Sequence, residues 1–171
     1  IHTSADFDYA ENLYFSDHAV ERAIELLKAG ATIVTDTNMG MAGINKRALS
    51  ALNASVRCFI ADPDVAREAK ERGVKLAVVS MEHAGKLAGP VIFAVGHAPT
   101  ALIRLYEMIQ EGTISPAFII GAPVGFVNVV ESKELICGLD VPCIVARGRK
   151  GGSNIVAAIC NALMYQIPGT R

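Results

Sequence analysis

Ile119-Ile-Gly-Ala-Pro-Val-Gly-Phe-Val-Asn-Val-Val-Glu-Ser-Lys-Glu134 begins as an apolar run, passes through a glycine-bracketed turn and continues into a helix-forming stretch. Its start reads as a buried strand and its turn as the link to the next helix. Gly121, Pro123 and Gly125 allow the backbone to turn sharply without side-chain clash, and the amides opening the helix suit a carboxylate or phosphate. Similar turns also serve purely steric ends in parallel-sheet proteins, so this turn alone names no ligand.

The same strand-then-helix order extends in both directions. Downstream, a helix from about Val127 to Cys137 and a strand from Cys143 to Ala146 lead into Arg147-Gly-Arg-Lys-Gly-Gly-Ser153, a second glycine-rich turn. Ser153 is placed to cap the final helix, whose Ile155, Val156, Ile159, Cys160 and Leu163 share one face. Upstream lie strands at Ala117–Ile120 and Pro90–Val95, the latter joined by Gly96-His-Ala-Pro-Thr100 to a helix over about Ala101–Glu111. Val74–Lys86 reads as mostly helical. Asp62 and Pro63 start a helix that Gly73 closes, after a strand at Val56–Ile60. Asp36 ends a strand at Thr32–Thr35, where open α/β sheets bind ligands, although an Asp there also caps loop amides. Ser16 reads as the N-cap of a first helix over Asp17–Ala29, and Ile1–Ser16 as irregular. This order predicts a three-layer α/β/α fold with a mostly parallel sheet of about five strands and its active loops along one edge.

The totals agree with that fold. A length of 171 residues favours a single domain over 1–171, and 51% hydrophobic residues with 6% aromatics and no Trp point to an aliphatic core covered on both faces. A net charge of -1 gives no global field for nucleic acid or an anionic membrane, so any anion site is local. The longest uncharged run, Gly112–Val130, is broken by Pro116, Gly121, Pro123 and Gly125 and does not read as a membrane span. Cys58, Cys137, Cys143 and Cys160 form no Cys-x-x-Cys pair, which fits reduced thiols in a cytoplasmic protein and suggests no metal cluster. The chain starts at Ile1 without Met, so an upstream portion is expected to be missing from it.

Arg147, Arg149 and Lys150 put three cations beside a helix N-terminus, an unfavourable placement that anion binding would offset. Together, an apolar turn with free amides and a cationic turn suit a large ligand with an apolar body and several carboxylates. No Gly-x-Gly-x-x-Gly follows a strand, and neither a Gly-x-Ser-x-Gly elbow nor a Walker sequence occurs. Among the histidines, His18 and His83 read as surface residues. His97 lies at a strand end and His2 in a Thr/Ser/Asp-rich stretch, where an imidazole is suited to proton exchange near neutrality. Spacing does not rank one above the other.

Five segments together carry a resemblance: His2-Thr-Ser-Ala-Asp-Phe-Asp-Tyr-Ala, Gly96-His-Ala-Pro-Thr-Ala-Leu102, Gly121-Ala-Pro-Val-Gly-Phe-Val127, Glu131-Ser-Lys-Glu134 and Arg147-Gly-Arg-Lys-Gly-Gly-Ser153. In this order, across nearly the whole chain, they resemble the precorrin-8X methylmutase (precorrin isomerase) family. The resemblance implies a cobalamin-pathway isomerase that moves a methyl group from C11 to C12 on ring C of a tetrapyrrole, with no external cofactor or protein-bound metal. It implies His2 as the catalytic residue, acting on the ring C nitrogen. Thr3, Ser4, Lys75, His97, Pro99, Thr100, Pro123, Gly125, Phe126, Arg147, Arg149 and Lys150 are the implied substrate-binding residues, and a homodimer is implied. The family usually has Asn where this chain has His97, and Thr-Arg-Ser near Val74-Lys75-Leu76. Lys75 cannot reproduce the bidentate grip of an Arg. The competing expectation is a tetrapyrrole carrier that keeps the pocket without turnover.

Overall fold

The computed structural model describes residues 1–171, and six strands organise it. They are β1 (Leu13–Phe15), β2 (Thr32–Thr35), β3 (Ser55–Cys58), β4 (Val91–Val95), β5 (Phe118–Gly121) and β6 (Cys143–Ala146), in spatial order β1-β6-β5-β4-β2-β3. β2 to β6 run parallel, and β1 pairs antiparallel with β6. Nine helices join them: α1 (Asp8–Asn12), α2 (Ala19–Lys28), α3 (Asn38–Gly43), α4 (Lys46–Ala51), α5 (Pro63–Arg72), α6 (Leu76–Ala84), α7 (Pro99–Gln110), α8 (Val129–Cys137) and α9 (Ser153–Met164).

Side chains alternate across a strand, so the sheet divides the interior into two cores. Ile33, Ile92, Ala94, Phe118, Ile120 and Ile144 meet the buried faces of α2, α4 and α9. Val34, Phe93, Val95, Ile119 and Val145 meet α5, α6, α7 and α8 on the other side. Burial of each large apolar side chain contributes about 1.5–3 kcal/mol, which explains why strands this short hold their register. The resulting three layers match the fold class expected from the repeated strand-helix order.

The amino-terminal region differs from its reading as irregular. It forms α1 and then β1, a sixth strand that the short Leu13-Tyr-Phe15 segment gave no periodicity to reveal. Ser16 does not cap α2. Its hydroxyl accepts the Cys143 amide at 2.9 Å, tying the chain to β6, while α2 begins at Ala19 behind His18 in a left-handed conformation. Ser153 likewise lies inside α9, with Gly152 at the cap position, and its hydroxyl meets Thr37 Oγ1 at 2.7 Å. Thr37-Asn-Met-Gly-Met-Ala-Gly43, after Asp36, contains α3, which Thr37 caps by accepting the Gly40 amide. His83 is only partly exposed, because α6 brings it within 2.8 Å of the Glu68 carboxylate.

The antiparallel direction of β1 has a consequence for placement. Leu13 sits beside Ala146, and the Arg147 amide donates to the Asn12 carbonyl at 2.9 Å. The segment before β1 therefore emerges where the parallel strands end, beside the glycine-rich turns.

Candidate functional site

In doubly wound sheets the usual ligand crevice lies where the strand order reverses, here between the ends of β2 and β4. This chain fills that crevice with itself. Asp36, buried at the end of β2, accepts the amides of Gly96, His97 and Ala98, each at 2.8 Å. A methyl on Gly96 would meet Ser153 Cα at 2.8 Å and the Gly152 carbonyl at 2.9 Å, so the β4 turn and the start of α9 touch. Of the two sequence readings of Asp36, amide capping is the one realised.

Open space lies further along the same edge. A cavity of about 490 Å³ is walled mainly by apolar groups of α9, by Leu13 and by Tyr9, and Ile1, His2 and Thr3 lie along it. Asn161 and Tyr165 supply polar atoms there. Asn161 is held from both ends, its side chain accepting the Asn45 amide and donating to the Gly43 carbonyl. A second cavity of about 290 Å³ shares Tyr9 and is lined by Asp8, Asn12, Arg147, Gly148, Arg149 and Lys150. Burial, then the Asp6 charge, pushes the Tyr9 hydroxyl above its usual range, which keeps it a neutral hydrogen-bonding group between the two spaces.

The three cations differ in their partners. Arg147 pairs with Glu134 at 2.8 Å and lies over the Tyr14 ring. Lys150 reaches Asp6 at 2.6 Å and Asp8 at 2.5 Å, binding the segment that carries His2 to the cationic loop. Hydrogen bonding to Lys150 holds the Asp6 carboxyl below the usual carboxylate range. Arg149 has no carboxylate partner. It donates to the Phe126 carbonyl at 2.9 Å and lies over the exposed Phe126 ring.

Both glycine-rich turns form one unit. Gly125, at φ 138°, donates its amide to the Arg149 carbonyl at 3.2 Å, and Gly152 donates to the Ala122 carbonyl at 2.8 Å. Pro123 is buried beneath this contact. Thus Thr3 and His2 edge one cavity, the three cations line the next, and Pro123, Gly125 and Phe126 support the cationic wall. Ser4 adjoins them and donates its hydroxyl to the Ile1 carbonyl. His97, Pro99 and Thr100 lie at the neighbouring strand end, where Pro99 opens α7 and the His97 ring is exposed. Lys75 is not brought to this group. It precedes α6 in the opposite helix layer and lines neither cavity.

One buried residue escaped sequence reading. Lys133 of α8 has no solvent-exposed surface, and its Nζ donates to the carbonyls of Gly148 at 2.7 Å and Lys150 at 2.8 Å. Desolvation lowers its pKa to about 8. A signal was present: Lys133 falls four residues after Val129 and three before Ile136, on the buried face of the helix.

The precorrin-8X methylmutase family model matches residues 1–166. The chain belongs to the precorrin-8X methylmutase family. Cobalt-precorrin-8 methylmutase of Salmonella typhimurium is 43% identical over 168 residues, covering 98% of this chain and 78% of the relative. Precorrin-8X methylmutase of Pseudomonas aeruginosa is 38% identical over 165 residues, covering 95% and 79%. The crystal structure of the Thermus thermophilus precorrin-8X methylmutase superposes with a TM-score of 0.88 at 38% identity, covering 96% of this chain and 81% of that one. Like its relatives, this methylmutase is an isomerase of cobalamin biosynthesis that carries out intramolecular methyl transfer. None of its helices is long and apolar enough to cross a membrane.

Proposed function

We propose that this methylmutase moves a methyl group from C11 to C12 of precorrin-8 or cobalt-precorrin-8, giving hydrogenobyrinic acid or its cobalt form. The observation that carries this reading is the union, through Tyr9, of an apolar cavity edged by His2 with a cavity lined by three cations. Apolar walls suit the faces of a macrocycle, and Arg149, with Arg147 and Lys150, suits its acidic arms. His2 protonates or hydrogen-bonds the ring C nitrogen and so favours the rearranging tautomer. A methyl shift between neighbouring carbons needs that electronic bias and a fixed substrate conformation, and no protein nucleophile enters it. Any cobalt travels inside the substrate.

The working form is a cytoplasmic homodimer with the site near the subunit contact. Support comes from a second apolar hollow beside the first, lined by Leu13, Phe15, Val20, Ile159 and Leu163, along the short edge strand β1.

His2→Ala tests the catalytic assignment. The expected result is loss of at least about a hundredfold in kcat with tetrapyrrole binding retained, the usual scale for removing a general acid-base group. Full activity removes His2 from the mechanism. Wild-type protein that binds precorrin-8 without changing its visible absorbance is a carrier.

A further inference from the structure

The carbonyls of three consecutive residues in the cationic loop are all taken up inside the protein. Lys133 Nζ holds those of Gly148 and Lys150, and the Gly125 amide holds that of Arg149 between them. The amides of the same loop have the opposite fate. Those of Gly148, Arg149, Lys150 and Gly151 donate to no group of the chain, although the flanking amides of Arg147 and Gly152 are both paired. Gly148, at φ 75°, supplies the left-handed step that lets successive peptides face this way. A run of outward amides beside Arg149 is a surface for anionic oxygens.

A lysine is costly to bury, and this one meets no carboxylate within ion-pair distance. Glu134, the next residue, turns outward to Arg147 instead. The two carbonyls are the partners of Lys133, and both belong to the loop that lines the cationic cavity.

We infer that Lys133 is a positioning residue for the methylmutase reaction: its buried side chain holds the loop carbonyls inward, so that the loop amides and Arg149 face the carboxylate arms of the substrate. This rests on the reading of that loop as the arm-binding wall, deepening it by naming what shapes the wall. Lys133 itself touches no reacting atom. Its removal therefore acts on substrate binding and leaves the chemical step nearly intact.

The test compares Lys133→Met with Arg149→Ala in steady-state isomerisation of precorrin-8, each variant first shown by circular dichroism and cooperative melting to be folded. Lys133→Met fills the same volume without donors and is expected to raise KM at least tenfold with kcat within threefold of wild type. Lys133→Arg, which keeps donors on the stem, is expected to recover most of the lost affinity. A wild-type KM in Lys133→Met, or a fall in kcat at unchanged KM, overturns the inference. Should Lys133→Met not fold, Lys133→Leu, which also lacks donors, carries the test, and an unchanged KM again overturns the inference. Arg149→Ala separates the two levels. If it raises KM while Lys133→Met does not, only the role of Lys133 fails; if Arg149→Ala leaves KM unchanged, the arm-binding reading of the loop fails with it.

Discussion

Gly151 lies against Ala122 with no room for a side chain: a methyl at Gly151 would strike the Ala122 carbonyl oxygen and come within 2.6 Å of the Pro123 carbonyl. Both obstacles are backbone, so neither can rotate away. Gly151→Ala is expected to part the two glycine-rich turns, with a cost of about 3 kcal/mol from overpacking and the lost Gly152-to-Ala122 hydrogen bond. For a chain of this size the melting temperature falls by about 6–12 °C, measured by calorimetry. A variant that melts like wild type contradicts the close contact.

Lys150 joins the cationic loop to Asp6 and Asp8 through exposed ion pairs. Such exposed, salt-screened pairs add little to global stability, but here they tether a terminal segment that has few other contacts. Lys150→Met should therefore shift the melting temperature by no more than about 3 °C while amide exchange across Asp6–Ala10 quickens about tenfold. Mass-spectrometric hydrogen exchange reads both states, and about 1 M salt should imitate the variant in wild type. Unchanged exchange would mean that the tether lies elsewhere.

Lys133 sets a pH dependence of opposite sense to most lysine contacts. Its proton is lost at about 8 in the folded chain, against the ordinary 10.5, because burial outweighs the nearby Glu134 charge. Between those values the unfolded chain binds more protons than the folded one, so this group makes stability rise with pH across about 8 to 10.5. Below 8 both states carry the proton and the desolvation penalty is felt in full. The difference in unfolding free energy between wild type and Lys133→Met, followed by urea titration at pH 7.5, 9 and 10, should shift in favour of wild type as pH rises. A constant difference would rule out the lowered value. The neutral amine still offers two N–H donors, enough for both loop carbonyls, so the loop keeps its shape through this range.

Four of the five parallel strands were legible in the sequence because each is a short buried run flanked by Gly, Pro or Asp: Thr32–Thr35 and Cys143–Ala146 lie where they were expected, whereas the half-exposed β3 runs over Ser55–Cys58 and not Val56–Ile60. What escaped was decided by distant partners. Leu13-Tyr-Phe15 becomes a strand because β6 offers it an edge, and Ser16 and Ser153, both plausible caps by local pattern, instead bond Cys143 and Thr37 across the fold. Candidate site residues came from the order of short segments, which cannot show that Lys75 stands in the opposite layer from His2 or that Lys150 is engaged by Asp6. The buried role of Lys133 could have been suspected from helical spacing alone, since a charged residue in phase with Val129 and Ile136 must find partners inside.

Pairing of Leu13 with Ala146 also sets an order of events during synthesis. The segment bearing His2 leaves the ribosome well before β6, and its strand has nothing to join until β6 has been made. A growing chain therefore lacks the shared wall of the two cavities until the Arg147–Lys150 loop that follows β6 has also been made.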